Sequence, residues 1–131
     1  MFKSPQSKKP TILVVDDDPS VLTMLESLFH DDAEIITANG GQMALALLRE
    51  NMFYGHMPDL ILADVHMPCG SGPTFIDSVE SLGVKIPMVL LTTYLSDFRK
   101  QSDHSTFKFD KLREVVLNSL EKVKELEGVG V

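Results

Sequence analysis

Three aspartates carry side chains that could do chemistry together. Asp16 and Asp17 close an apolar run at residues 12–15, and Asp64 closes a second run at residues 60–63. An apolar run that stops abruptly in acid predicts a buried strand of a parallel sheet that delivers carboxylates to the sheet's carboxyl edge, where α/β proteins place their ligands. Carboxylates gathered in one pocket repel one another, and a hard cation among them relieves that repulsion. Oxygen donors of this kind suit magnesium. The expectation is an acidic pocket for Mg2+ and for phosphate chemistry. The bland alternative is a helix cap with solvated acid beside it, but capping needs one carboxylate, and Asp18 before Pro19 meets that need alone. Thr92 and Thr93 close a further apolar run, so their hydroxyls face the same edge, where they could equally well satisfy backbone groups.

The elements that must position these residues alternate. Residues 12–15 predict a central strand, and Asp18 with Pro19 opens a helix whose Val21, Leu22, Leu25, Leu28 and Phe29 share one side. Residues 33–38 predict a second strand nearer an edge, because Glu34 interrupts it. After the turn at Asn39, Gly40 and Gly41, a second helix runs to about Asn51, and residues 53–58 predict a loop. Residues 60–63 form the third strand. A proline- and glycine-rich turn at residues 67–73 then leads to a helix with Phe75, Ile76, Val79 and Leu82 on its buried side. Residues 88–91 form the fourth strand, and a last helix spans about residues 110–126. Four strands alternating with helices predict an α/β fold with a parallel sheet covered on both faces. Right-handed crossovers place the strands ending in Asp16, Asp64 and Thr92 together, with the second strand outside.

Bulk properties set limits. A chain of 131 residues predicts one domain, divided as a flexible tail (residues 1–10), a folded body (11–126) and a frayed end (127–131). A net charge of −7 argues against direct nucleic-acid binding, since phosphate backbones attract a basic face. Cys69 is the single cysteine, so an internal disulfide and a cysteine-built zinc site are excluded. No apolar stretch approaches the roughly 18 residues of a membrane span, and the polar start lacks the apolar core of a secretory signal. The expected location is cytoplasmic, or nuclear if Lys8 and Lys9 act as an address. The histidines His30, His56, His66 and His104 show no metal-ligand spacing.

Several motifs in order, VVDDD at 14–18, LILADVHMP at 60–68 with Gly72 after it, IPMVLLT at 86–92 and FDKLREVV at 109–116, resemble the receiver domain of two-component response regulators. The likeness covers nearly all of residues 11–124, and the wording DVHMP with the long polar start looks somewhat like the plant cytokinin-pathway type. The resemblance implies a flavodoxin-like, doubly wound parallel sheet and a phosphoacceptor signalling domain rather than an enzyme. Asp64 would accept a phosphoryl group from a histidine kinase or histidine phosphotransfer protein in a His-to-Asp phosphorelay. Asp16, Asp17, Asp64 and the backbone carbonyl of His66 would hold Mg2+, and Thr92 would be the switch hydroxyl. Output would pass through protein–protein contacts.

The departures are specific. Alignment on FDKLREVV puts Ser105 where the family has a lysine that pairs with the phosphorylated carboxylate, and Ser102 where it has an aromatic reporter. From Thr92 to Ser105 the chain is shorter than the roughly 20 residues that a helix, a strand and their turns require, so the fourth helix and fifth strand are expected to be shortened or missing. Lys100 or Lys108 is the available substitute for the lysine. Two alternatives follow. One is a pseudo-receiver that binds partners without phosphorylation. The other is a haloacid-dehalogenase-type phosphatase built on Asp16, Asp18, Ser20 and Thr92, which leaves Asp64 unexplained.

Overall fold

All five residues of the first strand, β1 (Thr11–Val15), are buried, as a strand covered on both faces requires. The computed structural model describes residues 9–64, 74–91 and 110–129. After β1 come α1 (Pro19–Phe29), β2 (Glu34–Ala38), α2 (Gly41–Tyr54), β3 (Leu60–Ala63), α3 (Phe75–Ser81), β4 (Met88–Leu90) and a last described helix, α4 (Asp110–Val129). The four described strands form one sheet in the order β2-β1-β3-β4, every pair parallel. This is the parallel α/β sheet expected from the alternation, with β2 outside β1, and it fits the flavodoxin-like arrangement that the family resemblance implies.

Residues of β1 alternate between two apolar layers. Ile12 and Val14 face Val21, Leu25 and Phe29 of α1 together with Leu112, Val116 and Leu120 of α4. Leu13 and Val15 face Ala44 and Leu48 of α2 and Phe75 and Val79 of α3. Burying each Leu, Ile or Phe side chain of this kind stabilises the fold by about 1.5–3 kcal/mol. The core therefore fixes strand register, since a slip of one residue would exchange the two layers.

Several boundaries differ from the sequence-based expectation: β1 begins at Thr11 rather than at residue 12, and β4 ends at Leu90 rather than at residue 91. The second helix continues past Asn51 to Tyr54, so Phe53 and Tyr54 are helical rather than in a loop. Its stop comes from Gly55, whose left-handed backbone (φ 77) lets its N–H bond the carbonyls of Asn51 and Met52. That extension leaves Phe53 85% exposed, with its ring edge-on to Tyr54 at 5.3 Å. The second strand begins at Glu34, one residue later than expected, and α4 extends to Val129 rather than to about Leu126.

The start of α4 sits beside the end of α1. Arg113 donates to the Leu28 carbonyl at 3.1 Å, and its Nη1 forms an ion pair with Asp32 Oδ2 at 2.9 Å. Since α1 descends from the carboxyl edge of the sheet to its amino edge, α4 begins near the amino edge. The expected shortening of a fourth helix and fifth strand falls on residues 92–109, outside the described residues, as do the turn at 67–73 and most of the N-terminal tail.

Candidate functional site

Register brings the acids together. β1 and β3 pair with Val15 opposite Ala63, so the residues that follow, Asp16 and Asp64, leave the sheet side by side. The N–H of Asp64 donates to the Val15 carbonyl at 3.4 Å, and that of Asp16 donates to the Ala38 carbonyl at 3.2 Å, so ladder bonds hold both backbones up to the acidic residues themselves. Asp17 follows in the same turn. One carboxylate oxygen from each of Asp16, Asp17 and Asp64 lies within 4.8 Å of the other two.

Burial within this group is uneven. Asp16 is 0% exposed and Asp64 3%, whereas Asp17 is exposed, so the cluster meets solvent on the Asp17 side. Removing ionised carboxylates from water is costly, and placing them side by side adds repulsion. A fold keeps such an arrangement where a cation or a reaction uses it. Three hard oxygen donors, drawn from two separated chain segments, fit a divalent cation of the Mg2+ kind, which takes one to a few carboxylates and fills its remaining positions with water and phosphate oxygens.

Asp18 stands apart from that cluster. It is the N-cap of α1, and its Oδ1 accepts from the Ser20 N–H at 3.0 Å and from Ser20 Oγ at 2.7 Å. Pro19 occupies the first turn, as expected for a helix that opens with Asp-Pro. Asp18 also does something the sequence reading missed: its backbone N–H donates to Asp16 Oδ1 at 2.9 Å. The available signal was the Asp-Pro step, which disfavours helical backbone at Asp18 and so starts the helix immediately after that N–H.

Asp16, Asp17 and Asp64, three of the expected site residues, are thus brought together. The others, the His66 carbonyl, Thr92 and Ser105, lie outside the described residues, as do Lys100 and Lys108. Among the described histidines, His30 is exposed and contacts Asp31 at 3.2 Å, away from the acidic cluster.

Comparison with known proteins gives a consistent result. A family model described as the response regulator receiver domain matches residues 12–104. The chain is 37% identical over 86 residues to the transcriptional regulatory protein ZraR of Escherichia coli, covering 65% of this chain and 18% of that protein. It is 38% identical over 84 residues to the two-component response regulator ARR12 of Arabidopsis thaliana, covering 63% of this chain and 13% of that protein. The matched stretch is therefore under a fifth of these relatives. Near-equal identity to a bacterial and a plant protein does not by itself separate the two types, although the plant match accords with the DVHMP wording. A solved response regulator receiver domain protein from Clostridium thermocellum superposes with a TM-score of 0.62, over 88% of this chain and 97% of that one, at 20% identity, which shows a shared fold.

Proposed function

The chain belongs to the response regulator receiver domain family, and from that premise we propose that Asp64 accepts a phosphoryl group from a histidine kinase or a histidine phosphotransfer protein, with Mg2+ held by Asp16, Asp17 and Asp64. Receiver domains are phosphoacceptor signalling modules rather than an enzyme family, which sets the phosphatase alternative aside. The observation that carries the proposal is the convergence of three carboxylate oxygens within 4.8 Å at the carboxyl edge. Bound magnesium would neutralise charge on the transferring phosphoryl oxygens, allowing an anionic carboxylate to approach them.

The chain's own residues supply the rest. An Asp64 oxygen attacks phosphorus in line, the bond to the donor histidine nitrogen breaks with its electron pair passing to the ring, and an acyl phosphate remains on Asp64. Asp16 and Asp17, with Asp64, would hold the cation. Burial of Asp64 limits its motion, and the exposed Asp17 side is where a donor can approach. The His66 carbonyl would be a further metal ligand, and the Thr92 hydroxyl would bond a phosphoryl oxygen, turning the modification into a change of surface. Output then passes by protein–protein contact, for which the net charge of −7 favours a partner with a basic face. No described helix is long and apolar enough to cross a membrane.

Mass spectrometry after incubation with a small phospho-donor and Mg2+ tests this. One phosphoryl group is expected on the wild type, and none without Mg2+ or in Asp64→Asn. Modification that persists in Asp64→Asn would refute the assignment. A second reading, a pseudo-receiver that binds partners without phosphorylation, is favoured by Ser105 at the family's lysine position. Intact Mg2+ binding with no phosphoryl uptake would select it.

A further inference from the structure

Asp16 is held in the acidic cluster against repulsion from its neighbours. Its Oδ1 receives the backbone N–H of Asp18 at 2.9 Å, which restricts rotation of the carboxylate while it still contributes an oxygen to the group of three. Without that bond, the cation-free protein would favour rotamers that carry the Asp16 charge away from Asp17 and Asp64. Asp18 itself has extended backbone, φ −100 and ψ 111, which leads the chain from that N–H directly into the first turn of α1.

Two devices keep Asp18 there. Pro19 disfavours helical backbone at the residue before it. The Asp18 side chain accepts from both the N–H and the Oγ of Ser20, while its carbonyl accepts from the N–H groups of Val21 and Leu22 at 3.1 and 3.2 Å. The first turn of α1 thus clamps Asp18, and Asp18 orients Asp16. Pre-set donors reduce the ordering that a ligand must otherwise impose.

We propose that Asp18 is a positioning residue for the divalent-cation site, acting through its cap and its backbone N–H on Asp16 rather than as a ligand. The inference rests on the divalent-cation reading of Asp16, Asp17 and Asp64. Partners that orient metal ligands typically change affinity by roughly 10–100-fold when removed.

The test is titration of the full chain with Mn2+, following free Mn2+ by electron paramagnetic resonance, for the wild type, Asp18→Ala, Asp18→Asn and Thr74→Ala. Asp18→Ala is expected to bind at least about tenfold more weakly. Asp18→Asn, which caps a helix as well as Asp does, is expected to stay within about threefold of wild type. Thr74 caps α3 by accepting the Asp77 N–H at 3.1 Å. Its loss should lower the melting temperature without changing affinity, which separates positioning from general destabilisation. Wild-type affinity in Asp18→Ala would overturn the inference. So would an equal loss in Asp18→Asn, because that would make the Asp18 charge the active feature. If the wild type shows no saturable Mn2+ binding, the cation reading itself fails, and this inference falls with it.

Discussion

The two edges of the sheet use aspartate in opposite ways. At the amino edge, Asp59 Oδ2 accepts the Thr11 N–H at 2.8 Å while the Asp59 N–H donates to the Thr11 carbonyl at 2.8 Å, stapling the start of β1 to the approach to β3. Asp32, just before β2, meets Arg113 of α4. Each acid there faces a donor or a cation. At the carboxyl edge, Asp16, Asp17 and Asp64 face one another. The amino edge uses carboxylates to hold the chain, whereas the carboxyl edge does so at Asp18, the cap of α1, and gathers Asp16, Asp17 and Asp64 into one group.

That contrast predicts effects of opposite sign. The largest belongs to Asp59→Ala, which leaves the buried Thr11 N–H without its acceptor. Unfolding free energy should fall by about 2 kcal/mol in urea titration, with phosphoryl uptake by the folded protein unchanged. A loss of uptake in the folded variant would break the division between the edges.

Asp64→Asn should do the reverse in Mg2+-free buffer. Relief of like-charge repulsion is expected to raise stability by about 1 kcal/mol, or roughly 3 °C in melting temperature for a chain of this size. A clear fall in melting temperature would mean that the carboxylates at this edge stabilise the fold as those at the other do.

Arg113→Ala is the smallest of the three, because the Arg113 side chain is 40% exposed and solvent screens its pair with Asp32. Loss of that pair and of the bond to the Leu28 carbonyl should reduce stability by about 0.5–1 kcal/mol. Hydrogen exchange would be expected to quicken in α4 and at the end of α1 ahead of the sheet. Uniform quickening would show that Arg113 does not serve as a local tie.

Strand positions and the acidic cluster were legible in the sequence for a single reason. Residues 12–15 and 60–63 are buried on both faces, so each is an unbroken apolar run, and an abrupt acid marks the end of each. The end of α2 was less legible. Met52, Phe53 and Tyr54 continue the helix while remaining exposed, so hydrophobic periodicity gave no cue, and the stop depends on the left-handed backbone of Gly55. The bond from Asp18 to Asp16 was hidden differently. A residue read as a cap was accounted for, and its backbone N–H carries no signature in residue type beyond the proline that follows. The tie between Arg113 and the end of α1 joins positions distant in the chain, which no local pattern reports.

The claim that the carboxyl edge is built to hold a divalent cation is tested most directly by titrating Mg2+ into the 15N-labelled chain and following backbone amides by NMR. Saturable shifts concentrated at Asp16, Asp17 and Asp64, with Asp32 and Asp59 at the opposite edge unmoved, are the predicted result. Shifts spread evenly over exposed acids at both edges, or none at all, would contradict the account.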